Sequence, residues 1–218
     1  MMGIFYGNFG YNDSKPKGDW KMKIELDFLH ALQGLHNPIF DRIMLFITRL
    51  GDGNFIWLLI SISMILFPPI KKVFNKEYDD EYMNNVRKRR NVGVTIIIAL
   101  LLSIILVNIC MKPLFGRLRP FQVDSTFQAG IDSVSVQKLG DSSFPSGHTS
   151  AAFAAAIAIF LSKKKVGIAA IVLACLIAFS RMYFFVHFPT DIIGGAIAGI
   201  ICGKVARIFG EKMDKQIH

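Results

Sequence analysis

The chain has 218 residues, of which 52% are hydrophobic and 19 are phenylalanine, with a mean hydropathy of +0.43 and a net charge of +9. These values exceed those of a soluble domain and predict an integral membrane protein. The basic residues fall in clusters between apolar runs, as charge flanking a bilayer does, which excludes nucleic acid as a partner.

In chain order, residues 1–24 are polar and carry Lys15, Lys17, Lys21 and Lys23 without the compact apolar run of a removable signal peptide. No function is assigned to them. Residues 25–36 put Leu26, Leu29 and Leu32 on one stripe beside Phe28, behind an acidic first turn, which predicts an interfacial amphipathic helix. His30 and His36 have no ligand partner at i+4 there and read as polar-face or capping residues. Residues 1–37 thus stand apart from a membrane-embedded domain, 38–210, and a cytoplasmic tail, 211–218. Asn37-Pro38 opens a marginal span, Ile39–Leu50, closed by the turn Gly51-Asp52-Gly53-Asn54.

Phe55–Ile70 is apolar up to the Pro68-Pro69 break, and Val92–Met111 has the length a bilayer demands. Residues 149–162 are short and rich in alanine, and need Lys163, Lys164 and Lys165 to snorkel. Val166–Val186 and Ile192–Ile208 complete the set. The expected fold is all-α, a polytopic membrane bundle of about six transmembrane helices plus the N-terminal interfacial helix. In the last span Gly195, Gly199 and Gly203 recur every four residues, a smooth face suited equally to packing within the bundle or between subunits. Oligomeric state is not readable from this, and no obligate protein partner is evident. Cys110, Cys175 and Cys202 lie in or at the end of apolar runs with no paired spacing and read as packing residues.

Loop charge orients the bundle. Segment 71–90 carries Lys71, Lys72, Lys76, Arg87, Lys88, Arg89 and Arg90, so the positive-inside rule makes it cytoplasmic. Counting spans from there puts Lys163–Lys165 inside, together with Lys204, Arg207, Lys212 and Lys215. The same count gathers Lys112–Pro120, Pro145–His148 and His187–Asp191 on the extracytoplasmic face.

Each of these stretches carries chemistry. Ser146 and Gly147 stand where a helix N-terminus leaves N–H groups unpaired, a place that holds an anion such as phosphate. His148 beside them can move a proton. Lys112 and Arg119 flank a second stretch, with six residues between them. Arg181 lies near the end of an apolar run, where an unpaired charge costs about 3 kcal/mol, and is a site candidate for that reason. Pro189 interrupts the helix after His187 and Thr190 can cap the next, so His187 and Asp191 can meet across a tight turn. An imidazole bonded to a carboxylate is an oriented nucleophile or base, although a structural His–Asp cap has the same spacing.

Taken together, Lys112-x6-Arg119-Pro120, Pro145-Ser146-Gly147-His148 and Ser180-Arg181-x5-His187-x3-Asp191 resemble the signature of the type 2 phosphatidic acid phosphatase family, related to lipid phosphate phosphatases and vanadium haloperoxidases. The resemblance covers about Lys112–Asp191, with no departure at a signature position. It implies His187 as nucleophile, Asp191 as its orienter and His148 as acid and base, with Lys112, Arg119, Ser146, Gly147 and Arg181 holding the phosphate. Such a layout requires neither metal nor other cofactor. A metal site would need clustered carboxylates, whereas the loop offers Asp124, Asp132 and Asp141 scattered along it.

The expectation is a metal-independent membrane hydrolase of lipid phosphates or diphosphates, acting through a phosphohistidine on a membrane lipid. Undecaprenyl diphosphate is favoured, with phosphatidylglycerol phosphate or phosphatidic acid as alternatives. A non-catalytic binder or carrier of anionic lipids would explain the cations but not the paired histidines. Loop 112–148 is expected to cover the site in part, with Phe121, Phe127 and Ile131 dipping into lipid.

Overall fold

The computed structural model describes residues 20–67, 80–124 and 141–216. Lys15 and Lys17, the Pro68-Pro69 break, Lys71, Lys72 and Lys76, and Phe127, Ile131 and Asp132 lie outside the described residues. Among the described residues every regular element is helical, as expected for the all-α class.

Helix α1 spans Trp20–Gln33 and α2 Pro38–Gly51, followed by a 3-10 turn at Asp52–Asn54 and α3 at Phe55–Leu66. Helix α4 runs Asp80–Ser103 and continues as π-helical turns over Ile104–Met111. The short helices α5 (Lys112–Phe115) and α6 (Pro120–Val123) follow, then α7 (Gly147–Ser162), α8 (Lys164–Tyr183) and α9 (Pro189–Gln216). Among the described residues four stretches are long and apolar enough to cross a membrane: Pro38–Leu66, Asp80–Val123, Lys164–Tyr183 and Pro189–Lys215. Helix α7 is apolar but shorter. Helices occupy the described part of each of the six apolar segments expected from the sequence, while length singles out four crossing stretches, because α2 and α3 are joined through their turn and α7 is shorter.

Two boundaries differ from expectation. Helix α4 begins within the basic segment read as a loop, so Arg87, Lys88, Arg89 and Arg90 are helical. Asp80 and Glu81 sit in its first turn, where negative charge complements the helix dipole. Helix α1 begins at Trp20, so the acidic first turn expected for it is absent.

Helix α7 is the centre of the bundle and packs on α4, α8 and α9. Its Ala151, Ala152, Ala154, Ala155, Ala156 and Ala158 are buried. Small side chains let the neighbouring backbones close in, which is how membrane helices gain packing energy when lipid removes the hydrophobic drive between them. Helix α9 answers with its glycines. A Cβ on Gly195 would lie 2.6 Å from the Ser146 carbonyl oxygen, on Gly199 2.3 Å from that of Ser150, and on Gly203 2.7 Å from that of Ala154. The glycine face therefore packs within the bundle, one glycine per turn of α7. Two residues further round, Ile193, Ile197, Ile201 and Val205 are exposed on the opposite face of α9, where lipid would meet them.

The apolar stripe of α1 has a use beyond the membrane surface. Leu29 is buried with Phe185 and Phe188, and Leu26 and Leu32 pack against the same cluster. These aromatics belong to the turn that carries His187, so α1 is a buttress for that turn.

Candidate active site

The turn between α8 and α9 sets the first histidine. Phe185 adopts φ +57°, a left-handed conformation that side chains other than glycine rarely take, and its burial among Leu29 and Phe188 holds it there. Pro189 then starts α9, and Asp191 in its first turn accepts from the Phe188 N–H at 2.8 Å. Asp191 Oδ2 lies 3.5 Å from His187 Nδ1. Ser143 donates to the same carboxylate oxygen and is 3.4 Å from His187 Nδ1. Thr190 does not cap α9 as the sequence suggested. The helix starts one residue before it, and its hydroxyl faces Glu25 and Arg117 instead.

With Nδ1 turned to Asp191, the other nitrogen of His187 points at cations. Arg119 Nη1 lies 3.3 Å from His187 Nε2 and donates to the Val186 carbonyl at 3.1 Å. Arg119 is buried, and its Nη2 reaches Asp141 Oδ1 at 2.6 Å. Lys112 pairs with the second oxygen of the same carboxylate. Asp141 thus sits in the fork of two expected phosphate ligands, accepting from both as a phosphate would. Desolvation opposes its ionisation, but Lys112 and Arg119 outweigh that and hold the carboxyl at about 2. Burial pushes the His187 imidazole down to about 3, with Asp191 opposing and Arg119 and Arg181 adding to the shift, so the ring is neutral at neutral pH and its Nε2 lone pair accepts from Arg119.

The second motif meets this cluster at the head of α7. Ser146 is the N-cap, its hydroxyl accepting from the Thr149 N–H, and its own N–H donates to the Asp191 carbonyl at 3.0 Å. This bond ties the Pro-Ser-Gly-His loop to the start of α9. Gly147 lies close to Asn108: a Cβ there would come within 2.9 Å of Asn108 Oδ1, and the amide would have to shift to admit it. Gly147 and His148 line a cavity of about 200 Å³ together with Lys112, Asp141, Asn108 and Ser103. Arg181 is buried and donates to Thr48 Oγ1 at 2.7 Å, while its Nε has no acceptor within reach. A buried donor of this kind is what a phosphate oxygen would satisfy. Seven of the eight expected site residues are linked in this way: His187, Asp191, Arg119 and Lys112 through direct contacts and Asp141, Ser146 through Asp191, and Gly147 and His148 on the cavity wall, while the hydrogen bond of Arg181 goes to Thr48.

Among known families, the model described as the PAP2 superfamily matches residues 92–213, more than half of the chain and all three motifs. The chain belongs to the PAP2 superfamily. It is 26% identical over 182 residues to "Undecaprenyl-diphosphatase BcrC" of Bacillus subtilis (strain 168), covering 81% of this chain and 79% of that protein. It is also 26% identical over 203 residues to "Lipid A 4'-phosphatase" of Bacteroides thetaiotaomicron, covering 89% and 80%. Among solved structures, Aquifex aeolicus LpxE superposes with a TM-score of 0.63 at 25% identity, over 84% of this chain and 94% of that one.

Around its signature, this PAP2 chain has partners that the motif spacing did not expose. Arg117 donates to Asp191 Oδ1 and Thr190 Oγ1, each at 2.6 Å, and its other nitrogen pairs with Glu25 of α1. Glu25 also accepts from the Thr190 N–H at 2.9 Å. The buried carboxylate of Asp191 therefore has a charged partner on one oxygen and His187 with Ser143 on the other. Arg117 lay between the two signature cations and was passed over because the motif counts Lys112 and Arg119. Asp52, which bonds His148, was read only as part of a turn.

Proposed function

We propose that this protein is a lipid phosphatase that hydrolyses undecaprenyl diphosphate through a phosphohistidine. The observation that carries the chemistry is the orientation of His187. Its Nδ1 is held by Asp191 and its Nε2 faces Arg119, beside a cationic fork already shaped around a carboxylate. In the proposed reaction the phosphate displaces Asp141 from Lys112 and Arg119, and the helix N-terminus at Gly147 and the Arg181 guanidinium bind its remaining oxygens.

His187 Nε2 attacks phosphorus in line as the bond to the leaving oxygen breaks, and His148 gives that oxygen a proton. Asp191 stabilises the imidazolium that forms. Water then attacks phosphorus, His148 takes its proton, and the N–P bond breaks to release inorganic phosphate and neutral His187. Fixed cations and N–H dipoles supply the stabilisation that a metal gives in other phosphoryl-transfer sites, so no metal is called for.

The substrate assignment is supported by the undecaprenyl-diphosphatase relative and by the number of cations, which suits a diphosphate. The basic clusters support a site on the extracytoplasmic face, which lipid enters sideways from the outer leaflet. The test is phosphate release by the purified protein in mixed micelles containing excess chelator. Undecaprenyl diphosphate, phosphatidylglycerol phosphate and lipid A are compared at equal mole fraction, with His187→Ala as the inactive control. Undecaprenyl diphosphate is expected to have the highest kcat/KM. A tenfold preference for either other lipid, about 1.4 kcal/mol in transition-state binding, would reject the substrate assignment. Activity lost to chelator and restored by magnesium would reject the mechanism.

A further inference from the structure

The turn between α2 and α3 has no part in the signature, yet it is built against His148. Asp52 Oδ1 lies 3.1 Å from His148 Nε2, a bond that joins residues 96 positions apart. Three features of the turn serve this contact. Gly51 is buried, and a Cβ there would lie 2.9 Å from the Ile177 side chain and 3.4 Å from Cδ2 of the His148 ring, so only glycine lets the backbone pass this close. Gly53 and Asn54 both take left-handed conformations, φ +57° and +59°, which end α2 and turn the chain into α3 within three residues. Thr48, one turn before Asp52 on α2, accepts from Arg181, which fixes the end of α2 to the buried guanidinium. Gly53 and Asn54 also line the cavity that His148 faces.

We propose that Asp52 is the positioning residue of His148, as Asp191 is of His187. This rests on the reading of His148 as the proton donor to the leaving oxygen. Asp52 accepts from Nε2–H, which fixes the ring plane and leaves Nδ1 as the nitrogen that hands over a proton. Arg181 and burial disfavour the protonated imidazole in the free site and outweigh Asp52, so Asp52 opposes that loss and the acid is loaded as the anionic substrate adds its own negative charge, before the phosphate–oxygen bond breaks. In that step the proton passes from Nδ1 to the leaving oxygen as the bond between phosphorus and that oxygen breaks, and the bond from His187 Nε2 to phosphorus forms. The two histidines of the site then each have a carboxylate, supplied from opposite ends of the chain.

A positioning role for a general acid has a signature that a structural role lacks, because an acid matters only when the leaving group needs a proton. Two amphiphiles in the same micelles separate the cases: dioctanoyl phosphatidic acid, whose diacylglycerol oxygen needs a proton to leave, and a dodecyl-substituted nitrophenyl phosphate, whose phenolate leaves unprotonated. The quantity compared is kcat/KM, which reports the first phosphoryl transfer, and its ratio between the two esters is independent of how much protein is folded. Asp52→Asn is expected to lose roughly 10- to 100-fold on phosphatidic acid, within the range of general acid catalysis, and no more than about threefold on the aryl ester. Asp52→Glu should recover most of the alkyl activity. Equal losses on the two esters, or wild-type rates on both, would overturn the assignment. His148→Ala separates the two levels of the argument. If it too loses both esters equally, the general-acid reading of His148 is wrong; if it is selective and Asp52→Asn is not, only the role of Asp52 falls.

Discussion

Lys112 and Arg119 share the carboxylate of Asp141, and this one residue sets how firmly the cradle holds an incoming anion. Lys112 and Arg119 hold its carboxyl at about 2 against desolvation, so mild acid does not release the two cations. Substrate charge has to do it. Asp141→Asn keeps the shape and removes the charge, and is expected to tighten orthovanadate inhibition and lower KM by about tenfold, equivalent to about 1.4 kcal/mol. An inhibition constant for vanadate that is unchanged or weaker would show that Asp141 supports the cations rather than standing in for the phosphate. At this scale the sequence exposed the residues that form motifs, because Lys112, Arg119, His148, Arg181, His187 and Asp191 stand at fixed local intervals. It did not expose Asp52, Glu25 or Asp141, whose roles come from contacts 96, 92 and 29 residues away. A lone carboxylate in a turn has no periodicity to read.

Between elements, the contact of α7 with α9 decides whether the motifs meet. Ser146 and His148 ride on the first turn of α7, and Gly195, Gly199 and Gly203 let α9 lie directly on its backbone. Gly199→Ala would place a methyl 2.3 Å from the Ser150 carbonyl oxygen, and backbone cannot swing aside as a side chain can. The expected cost is about 1–3 kcal/mol, seen as a lower Tm in detergent, together with a fall in activity as Ser146 moves away from Asp191. Ile197→Ala, on the exposed face of the same helix, should change Tm far less. Comparable losses in both variants would mean that the glycine face does not set the spacing. Helix existence was legible here from apolar runs, and the glycine face from its period of four. Its partner was not, since a smooth face carries no mark of what lies on it. The start of α4 was misplaced because charge clusters read as loops, although nothing in Asp80–Arg90 breaks a helix.

For the whole molecule, the distribution of Lys and Arg predicts sidedness. Asn85 and Leu118 are both exposed; Asn85 lies near the start of α4 and Leu118 beyond the end of its π-helical turns, and the helical run from Asn85 to Met111 alone spans roughly 40 Å at 1.5 Å per residue. In a background lacking Cys110, Cys175 and Cys202, Leu118→Cys should react with an impermeant maleimide on intact cells and Asn85→Cys only after lysis. The reverse pattern would put the site on the cytoplasmic face. The ion pair of Glu25 with Arg117, and of Arg117 with Asp191, also bears on how the protein is made. The first and last contributors to this chain of charges are synthesised far apart in time, since Glu25 and Thr190 are 165 residues apart and Asp191 follows. At about 5–20 residues per second, translation separates them by on the order of ten seconds. Lys112, Arg119 and Arg181 are made within that interval, and His187 with the carboxylate beside it only at its end, so under the proposed mechanism a ribosome-bound or truncated product is expected to be inactive. With His187 as the proposed nucleophile, hydrolysis is expected to begin only when the final helix has entered the membrane and docked, which would make activity itself a report of complete insertion.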